Sequence, residues 1–223
     1  MCNQYFYKYL YVFILVQMNN ITDYKKELRS KILSVAIAMF KKNGIKSVKM
    51  DDIANALQIS KHTLYEIYEN KERLLLECVR EDRNNTRNHL MEFASHDCCD
   101  EMDILIEFFK MKMSDLEMIN PKFFLELQKY SDVVDYLYQS RDEEILRSIQ
   151  FIERGVEHGY FLKELNYSIV VRIADASMNY FIANEMYLKY DAKELFRNFW
   201  IVLLRGFCTS KGTARIEEIF NEA

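Results

Sequence analysis

The residues best suited to chemistry lie between positions 25 and 71. Lys25, Lys26, Arg29, Lys31, Lys41, Lys42, Lys46 and Lys49 face a single acid, Glu27, within positions 25–49. Such a run either forms a solvated helix surface or meets a polyanion, and phosphate is the polyanion it would meet. Lys46 and Lys49 close the run, and an ammonium reaches phosphate as a point charge. Further along, Lys61-His62-Thr63-Leu64-Tyr65-Glu66 concentrates donors and an acceptor in six residues. Lys61 can donate to guanine O6 or N7, and Glu66 can accept from a cytosine amino group. Glu66 would also repel a phosphate set beside it, and His62 would otherwise be an idle surface residue.

Other chemistries find little support. No Gly-rich phosphate loop, H-E-x-x-H, G-x-S-x-G or defensible catalytic dyad occurs. His96-Asp97-Cys98-Cys99-Asp100 invites a metal or redox reading. Adjacent cysteines diverge too much to hold one ion well, and no second C-x-x-C is present. An acidic loop carrying two thiols is the plainer reading, and a thiol-reactive sensor is the alternative. The sequence therefore predicts no enzyme, no catalytic residue, no metal site and no cofactor.

The elements that must position these residues are helical. The chain has 223 residues, half of them hydrophobic, with only five Gly and one Pro. That suffices for a core and is too little Gly and Pro for a turn-rich β fold. Five cysteines do not make a disulfide framework, and a reduced, cytoplasmic protein follows. The net charge of −4 conceals a split. Residues 22–88 hold 14 Lys and Arg against 10 Asp and Glu, whereas residues 89–223 hold 15 against 24. Two parts with different partners are implied.

Asp23 can cap a first helix. Leu28, Ile32, Val35, Ala36, Met39 and Phe40 form one apolar stripe on it, and Gly44 suits the left-handed residue after it. Met50, Ile53, Ala54 and Leu57 mark a short second helix with Asp51 and Asp52 in its first turn. After a tight turn at Gln58-Ile59, Ser60 can cap a third helix that turns Leu64, Ile67 and Tyr68 inward. Asn70 can cap a fourth, over 71–88. A helix-turn-helix unit results, whose third helix enters a DNA major groove with Lys61 and His62 foremost.

The order of these features resembles the DNA-binding domain of the TetR family of bacterial transcriptional regulators. The resemblance rests on Gly44 to Ala54, then Ile59-Ser60-Lys61-His62-Thr63-Leu64-Tyr65, then Asn70-Lys71-Glu72-Arg73-Leu74-Leu75, and it spans about residues 25–80. It implies that Thr63, Tyr65 and Lys71 hold the DNA backbone. Two residues depart from the family pattern. Gln58 stands where Gly is usual, and a left-handed conformation there would cost roughly 1–2 kcal/mol. Lys49 stands where a capping Ser or Thr is common.

The remainder reads as a helical bundle. Helices are predicted over 101–119, from Pro121 through Tyr138, over 142–158 with Gly159 ending it, over 167–189 and over 192–208, with a short one at 215–220. The fold class is all-α: an N-terminal three-helix helix-turn-helix domain over 22–70, then a helical domain over 71–223 for ligand binding and dimerisation, with helix 71–88 as connector. The resemblance implies a homodimer built on the last two long helices. Tyr180, Phe199, Trp200, Leu203 and Phe207 are its candidate residues. It also implies a small apolar effector, for which Phe108, Met111, Phe124, Leu127, Tyr130, Met178 and Phe181 are candidates. A Met or aromatic stripe at helical spacing is more often plain core than ligand wall.

The predicted function is a ligand-responsive repressor binding a palindromic double-stranded DNA operator. The alternative is a dimeric helix-turn-helix adaptor or activator that takes no ligand. The apolar run Leu10–Val16 is far shorter than the ~20 residues that span a bilayer, so no membrane role is expected. Residues 1–21 form an N-terminal extension, and Met18 is the expected translation start, with residues 1–17 a gene-calling artefact and a weak membrane anchor as the alternative reading.

Overall fold

A computed structural model describes residues 24–96 and 99–222. The Asp23 cap and the Met18 start lie outside the described residues. Helix α1 covers 24–43. It is followed by α2 (Met50–Ala56), α3 (Lys61–Ile67), α4 (Lys71–Ala94), α5 (Glu101–Met118), α6 (Lys122–Leu127), α7 (Ser131–Gln139), α8 (Arg141–Glu157), α9 (Tyr167–Ala183), a 3-10 turn (Met186–Leu188), α10 (Ala192–Phe207) and α11 (Ser210–Glu222). Among the described residues there is no β-strand, only an isolated bridge between Phe161 and Cys208.

The N-terminal core forms where the apolar stripes converge. Ile32, Phe40, Ile53, Leu64, Leu74 and Leu75 are fully buried in one cluster. Burying one such side chain stabilises by roughly 1.5–3 kcal/mol, so α1 to α4 hold one another. The Gly44 N–H donates to the Phe40 carbonyl at 2.9 Å with φ +84°, the single-bond left-handed stop for α1.

The α2–α3 turn is a Schellman stop built without glycine. The Gln58 N–H donates to Asn55 O at 3.1 Å and the Ile59 N–H to Ala54 O at 3.0 Å. Gln58 has φ 54°, so the left-handed strain expected of this residue is present. Lys49 occupies the N-cap of α2 without a side-chain cap bond. Its backbone N–H instead donates to the Asp52 carboxylate at 2.8 Å.

Several predicted boundaries are corrected. Helix α4 runs to Ala94, not 88, because no Gly or Pro interrupts it. The single helix expected from Pro121 through Tyr138 is two, α6 and α7. Between them, Lys129 and Tyr130 donate to Glu126 and Leu127, three residues back, and Tyr130 turns extended. That break lets Phe123 and Val133 both bury against the N-terminal core. Helix α9 ends at Ala183, and Glu185 at φ 53° precedes the 3-10 turn. Helix α11 is longer than the segment predicted at 215–220.

The second core gathers Met102, Leu105, Phe109, Ile152, Tyr160, Phe161, Leu204, Phe207 and Ile216. An ionic clamp closes one end. Arg215 reaches Asp100 at 3.0 Å and Asp103 at 2.5 Å, and the Tyr160 hydroxyl donates to Asp100 at 2.5 Å. Burial raises the Asp100 pKa, but the Tyr160 hydroxyl, the Asp103 N–H and Arg215 outweigh it and hold the carboxyl down at about 2.

Candidate nucleic-acid interface

The exposed surface of α3 is set by its cap and its buried face. The Ser60 hydroxyl accepts from the Thr63 N–H at 3.0 Å and lies 2.8 Å from the Thr63 hydroxyl. This fixes the first turn. Leu64 then points into the core, which leaves Lys61, His62, Tyr65 and Glu66 exposed and Thr63 half-buried. Tyr65 is 43% exposed, so its hydroxyl is open to solvent beside the buried Leu64.

The polar groups on this surface pair with one another. Lys61 Nζ lies 2.5 Å from Asp51 Oδ2 across the α2–α3 turn. The hydrogen bond to Asp51 holds the Lys61 ammonium above its ordinary pKa. His62 Nε2 and Glu66 Oε1 are 3.5 Å apart, one turn along the helix. Both pairs are solvent-exposed, so exchange of Asp51 for a phosphate or base edge costs little.

The flanking lysines differ in setting. Lys46 and Lys49 are exposed. Lys71 is half-buried, its ammonium 6.0 Å from the Phe40 ring centroid and 3.5 Å from the Lys46 carbonyl. Burial lowers its pKa below the ordinary lysine value. The structure thus brings Lys46 and Lys71 together at the start of α4, and places Lys61, His62, Tyr65 and Glu66 on α3.

The reading head is fastened to the second domain by contacts that no local pattern announces. Glu126 on α6 accepts from the Lys46 N–H at 2.6 Å, and the Asn120 N–H donates to Lys41 O at 2.7 Å. Lys41 Nζ is 2.7 Å from Asp82 Oδ1 on α4. Phe124, Leu127 and Tyr130 pack against the N-terminal core.

A cavity of about 550 Å3 opens between α4, α5, α8, α9 and α10. Phe108 and Met178 line it, whereas Met111, Phe124, Leu127, Tyr130 and Phe181 are not among its lining residues. Phe199, Trp200, Leu203 and Phe207, read from sequence as dimer candidates, line it too. Tyr180 is exposed on α9, in line with exposed Ile169 and Ile173. Sequence reasoning missed Arg141, Glu144 and Asp175 at the cavity. Arg141 Nε donates to Asp175 Oδ2 at 2.6 Å, and Glu144 pairs with Arg83 of α4. A separation of 34 or 61 residues leaves no sequence signal for such pairs.

Part of the His96–Asp100 expectation falls on residues 97–98, outside those described. Cys99 is half-buried, and burial raises its thiol pKa. Among the described residues, no three His, Cys, Asp or Glu side chains converge as a metal site. Among those same residues, no helix is long and apolar enough to cross a membrane.

A capped, half-exposed helix packed across a tight turn on a shorter one, with cations around it, defines a helix-turn-helix DNA-binding domain on an all-α body. Residues 32–78 match the sequence profile described as bacterial regulatory proteins, tetR family. Over these residues, the chain is similar to the tetR family of bacterial transcriptional regulators. Over 110 residues it is 27% identical to the biofilm operon icaADBC HTH-type negative transcriptional regulator IcaR of Staphylococcus epidermidis. The match takes in 48% of this chain and 57% of that protein, so the chain spans little more than half the length of this relative. The fold is similar to that of a TetR-family regulator from Agrobacterium tumefaciens, with TM-score 0.63 and 15% identity over 82% of this chain and 99% of that one. It is also similar to a transcriptional regulator from Saccharomonospora viridis in complex with choline, with TM-score 0.61 and 16% identity over 82% and 99%. Likeness at such identities speaks to the fold alone.

Proposed function

We propose that this chain is a ligand-responsive repressor that works in the cytoplasm and binds a palindromic operator as a homodimer. The observation that carries the reading is the face of α3, where Lys61, His62, Tyr65 and Glu66 stand exposed around a buried Leu64. Lys61 and Glu66 read base edges, while Thr63, Tyr65, Lys71, Lys46 and Lys49 hold phosphates. The negative regulator IcaR among its relatives favours repression.

One reading head contacts too few base pairs for specificity, so two must act on half-sites a helical turn or more apart. The exposed Ile169, Ile173 and Tyr180 of α9, with Val202 of α10, offer the second copy an apolar surface. The effector enters the α5–α8–α9–α10 cavity. Its occupancy shifts α8, and the Glu144–Arg83 pair carries that shift to α4 and the reading head. The effector must favour one arrangement of α4 over the other for this to work.

The test is DNA binding by Tyr65→Ala and Lys71→Ala, with helix content checked by circular dichroism. The reading requires both folded variants to lose affinity for a sequence the wild type binds. Undiminished binding in both refutes the contact assignment.

A further inference from the structure

The apolar cavity adjoins a second chamber of opposite character, and the two together define a class of ligand. This inference rests on the reading that an effector enters the α5–α8–α9–α10 cavity. That cavity, of about 550 Å3, lies within the range of roughly 300–1,000 Å3 usual for small-molecule sites. Phe108, Phe151, Val170, Val171 and Met178 make its walls largely apolar.

A cleft of about 910 Å3 lies beside it, between α4, α5, α7 and α8. Glu144, Arg147, Ser148 and Phe151 of α8, with Leu90 of α4 and Phe108 of α5, line both chambers. Glu144, Arg147 and Ser148 are exposed, and Leu90, Phe108 and Phe151 are half-buried. These shared side chains form an open rim rather than a packed wall. A molecule whose body fills the apolar cavity therefore brings its end to Arg147.

The cleft is cationic. Arg83 and Arg87 of α4, Lys112 of α5, and Arg147 and Arg154 of α8 line it. Of its acids, Asp82 holds Lys41 at 2.7 Å, Glu144 pairs with Arg83, and Glu143 meets Arg147 only in a solvent-exposed pair at 3.4 Å. Lys112 and Arg154 have acids of their own, Asp115 at 3.4 Å and Glu101 at 3.5 Å. Arg87 donates to the Asn84 amide oxygen at 2.5 Å and pairs with no carboxylate among the described residues. Burial, and then the charges of Arg147 and Arg87, lower the Arg83 pKa, against the pull of Tyr136. Three guanidiniums thus crowd one another, in a body where acids outnumber bases by 24 to 15 over residues 89–223. Crowded like charges favour an anion that relieves them. A guanidinium takes carboxylate and phosphate alike through its paired N–H donors.

We propose that the effector is an amphipathic oxyanion, whose hydrocarbon body fills the apolar cavity and whose carboxylate or phosphate head sits among Arg83, Arg87 and Arg147. Such a head competes with Glu144 for Arg83, so it acts on the pair that joins α8 to α4. A neutral molecule of the same length leaves that pair intact, and a cation is repelled.

Five probes test this on the full chain by calorimetry, each below its micelle-forming concentration: dodecanoate, dodecyl phosphate, dodecanol, dodecyltrimethylammonium and butanoate. The better of the two twelve-carbon anions binds roughly tenfold tighter than dodecanol, the low end for a charge-assisted hydrogen bond because the head is exposed. Whether it is the carboxylate or the phosphate names the head group, and either supports the proposal. Raising salt from about 0.05 to 0.5 M weakens the anion and leaves dodecanol unchanged. Butanoate binds more than about a hundredfold weaker than dodecanoate, because it buries far fewer methylenes. Arg87→Gln and Arg147→Gln, with helix content checked by circular dichroism, each lower the ratio of anion to alcohol affinity severalfold. The wild-type salt dependence carries the test even if a variant fails to fold. Dodecanol binding as tightly as the better anion, tightest binding by the ammonium, butanoate binding as well as dodecanoate, an anion preference untouched in both folded variants, or binding of none of the five overturns the proposal. Equal binding of dodecanol and the anions would still leave the cavity as an effector site. A chain that binds DNA yet takes none of the probes loses this inference and keeps the regulator reading.

Discussion

Replacing Gln58 with Gly gives a stability change that can be worked from the backbone. Gln58 sits at φ 54° in the turn between α2 and α3, and its side chain is exposed. A non-glycine residue in this region costs roughly 1–2 kcal/mol. Glycine removes that cost, but its freer unfolded chain takes back roughly 0.5–1 kcal/mol. The two backbone bonds of the turn, Gln58 N–H to Asn55 and Ile59 N–H to Ala54, need no side chain and survive. Gln58→Gly is therefore stabilised by about 0.5–1 kcal/mol. For a chain of this size that raises Tm by roughly 1–4 °C. Urea and thermal denaturation of the full chain, followed by circular dichroism at 222 nm, measure it. Gln58→Val should move the other way, since a β-branched residue tolerates this region worst. A Gly variant that is less stable than wild type, or a Val variant that is not, refutes the strained-turn account.

Three further outcomes follow from the packing. Ser60→Ala removes the acceptor of the Thr63 N–H and costs about 1 kcal/mol, read as a lower urea midpoint with an unchanged m-value. Asp100 has its pKa held at about 2 against an ordinary 3.8. A depressed carboxyl contributes stability above about pH 4 and loses it as pH falls towards 2. Asp100→Asn should therefore cost about 2 kcal/mol at pH 7 and flatten the acid limb of the stability profile between pH 4 and 2. Glu144→Gln breaks the pair with Arg83, so effector still binds but changes DNA affinity less than in wild type, measured by titrating DNA with and without the effector.

The N-terminal domain was legible because its signals are local. The apolar stripe of α1, the Gly44 stop, the Ser60 and Asn70 caps and the turn at Gln58 each act within five residues, and the structure contains all of them. The break between α6 and α7 was not legible. No Pro or Gly marks Gln128-Lys129-Tyr130, and the turn forms because Phe123 and Val133 must reach one core. The large apolar side chains of α10 show the other limit. Their spacing says that Phe199, Trp200, Leu203 and Phe207 are sheltered, but spacing cannot distinguish a cavity wall from a subunit interface. Phe124, Leu127 and Tyr130 show it again, since an apolar stripe running from α6 into the break after it does not say which of two cores it faces. Glu126, which ties the α1–α2 loop to α6, lies 80 residues from its partner and carries no sequence mark.

The central claim is that two copies of this chain read a DNA sequence through α3. Selection of bound duplexes from a random pool by the full chain, at ~150 mM salt so that counterion release does not dominate, tests it most directly. The account predicts enrichment of a palindrome whose half-sites lie at least one helical turn apart, and loss of that enrichment with Tyr65→Ala. A folded dimer that enriches no sequence, with or without a cavity ligand bound, would contradict it.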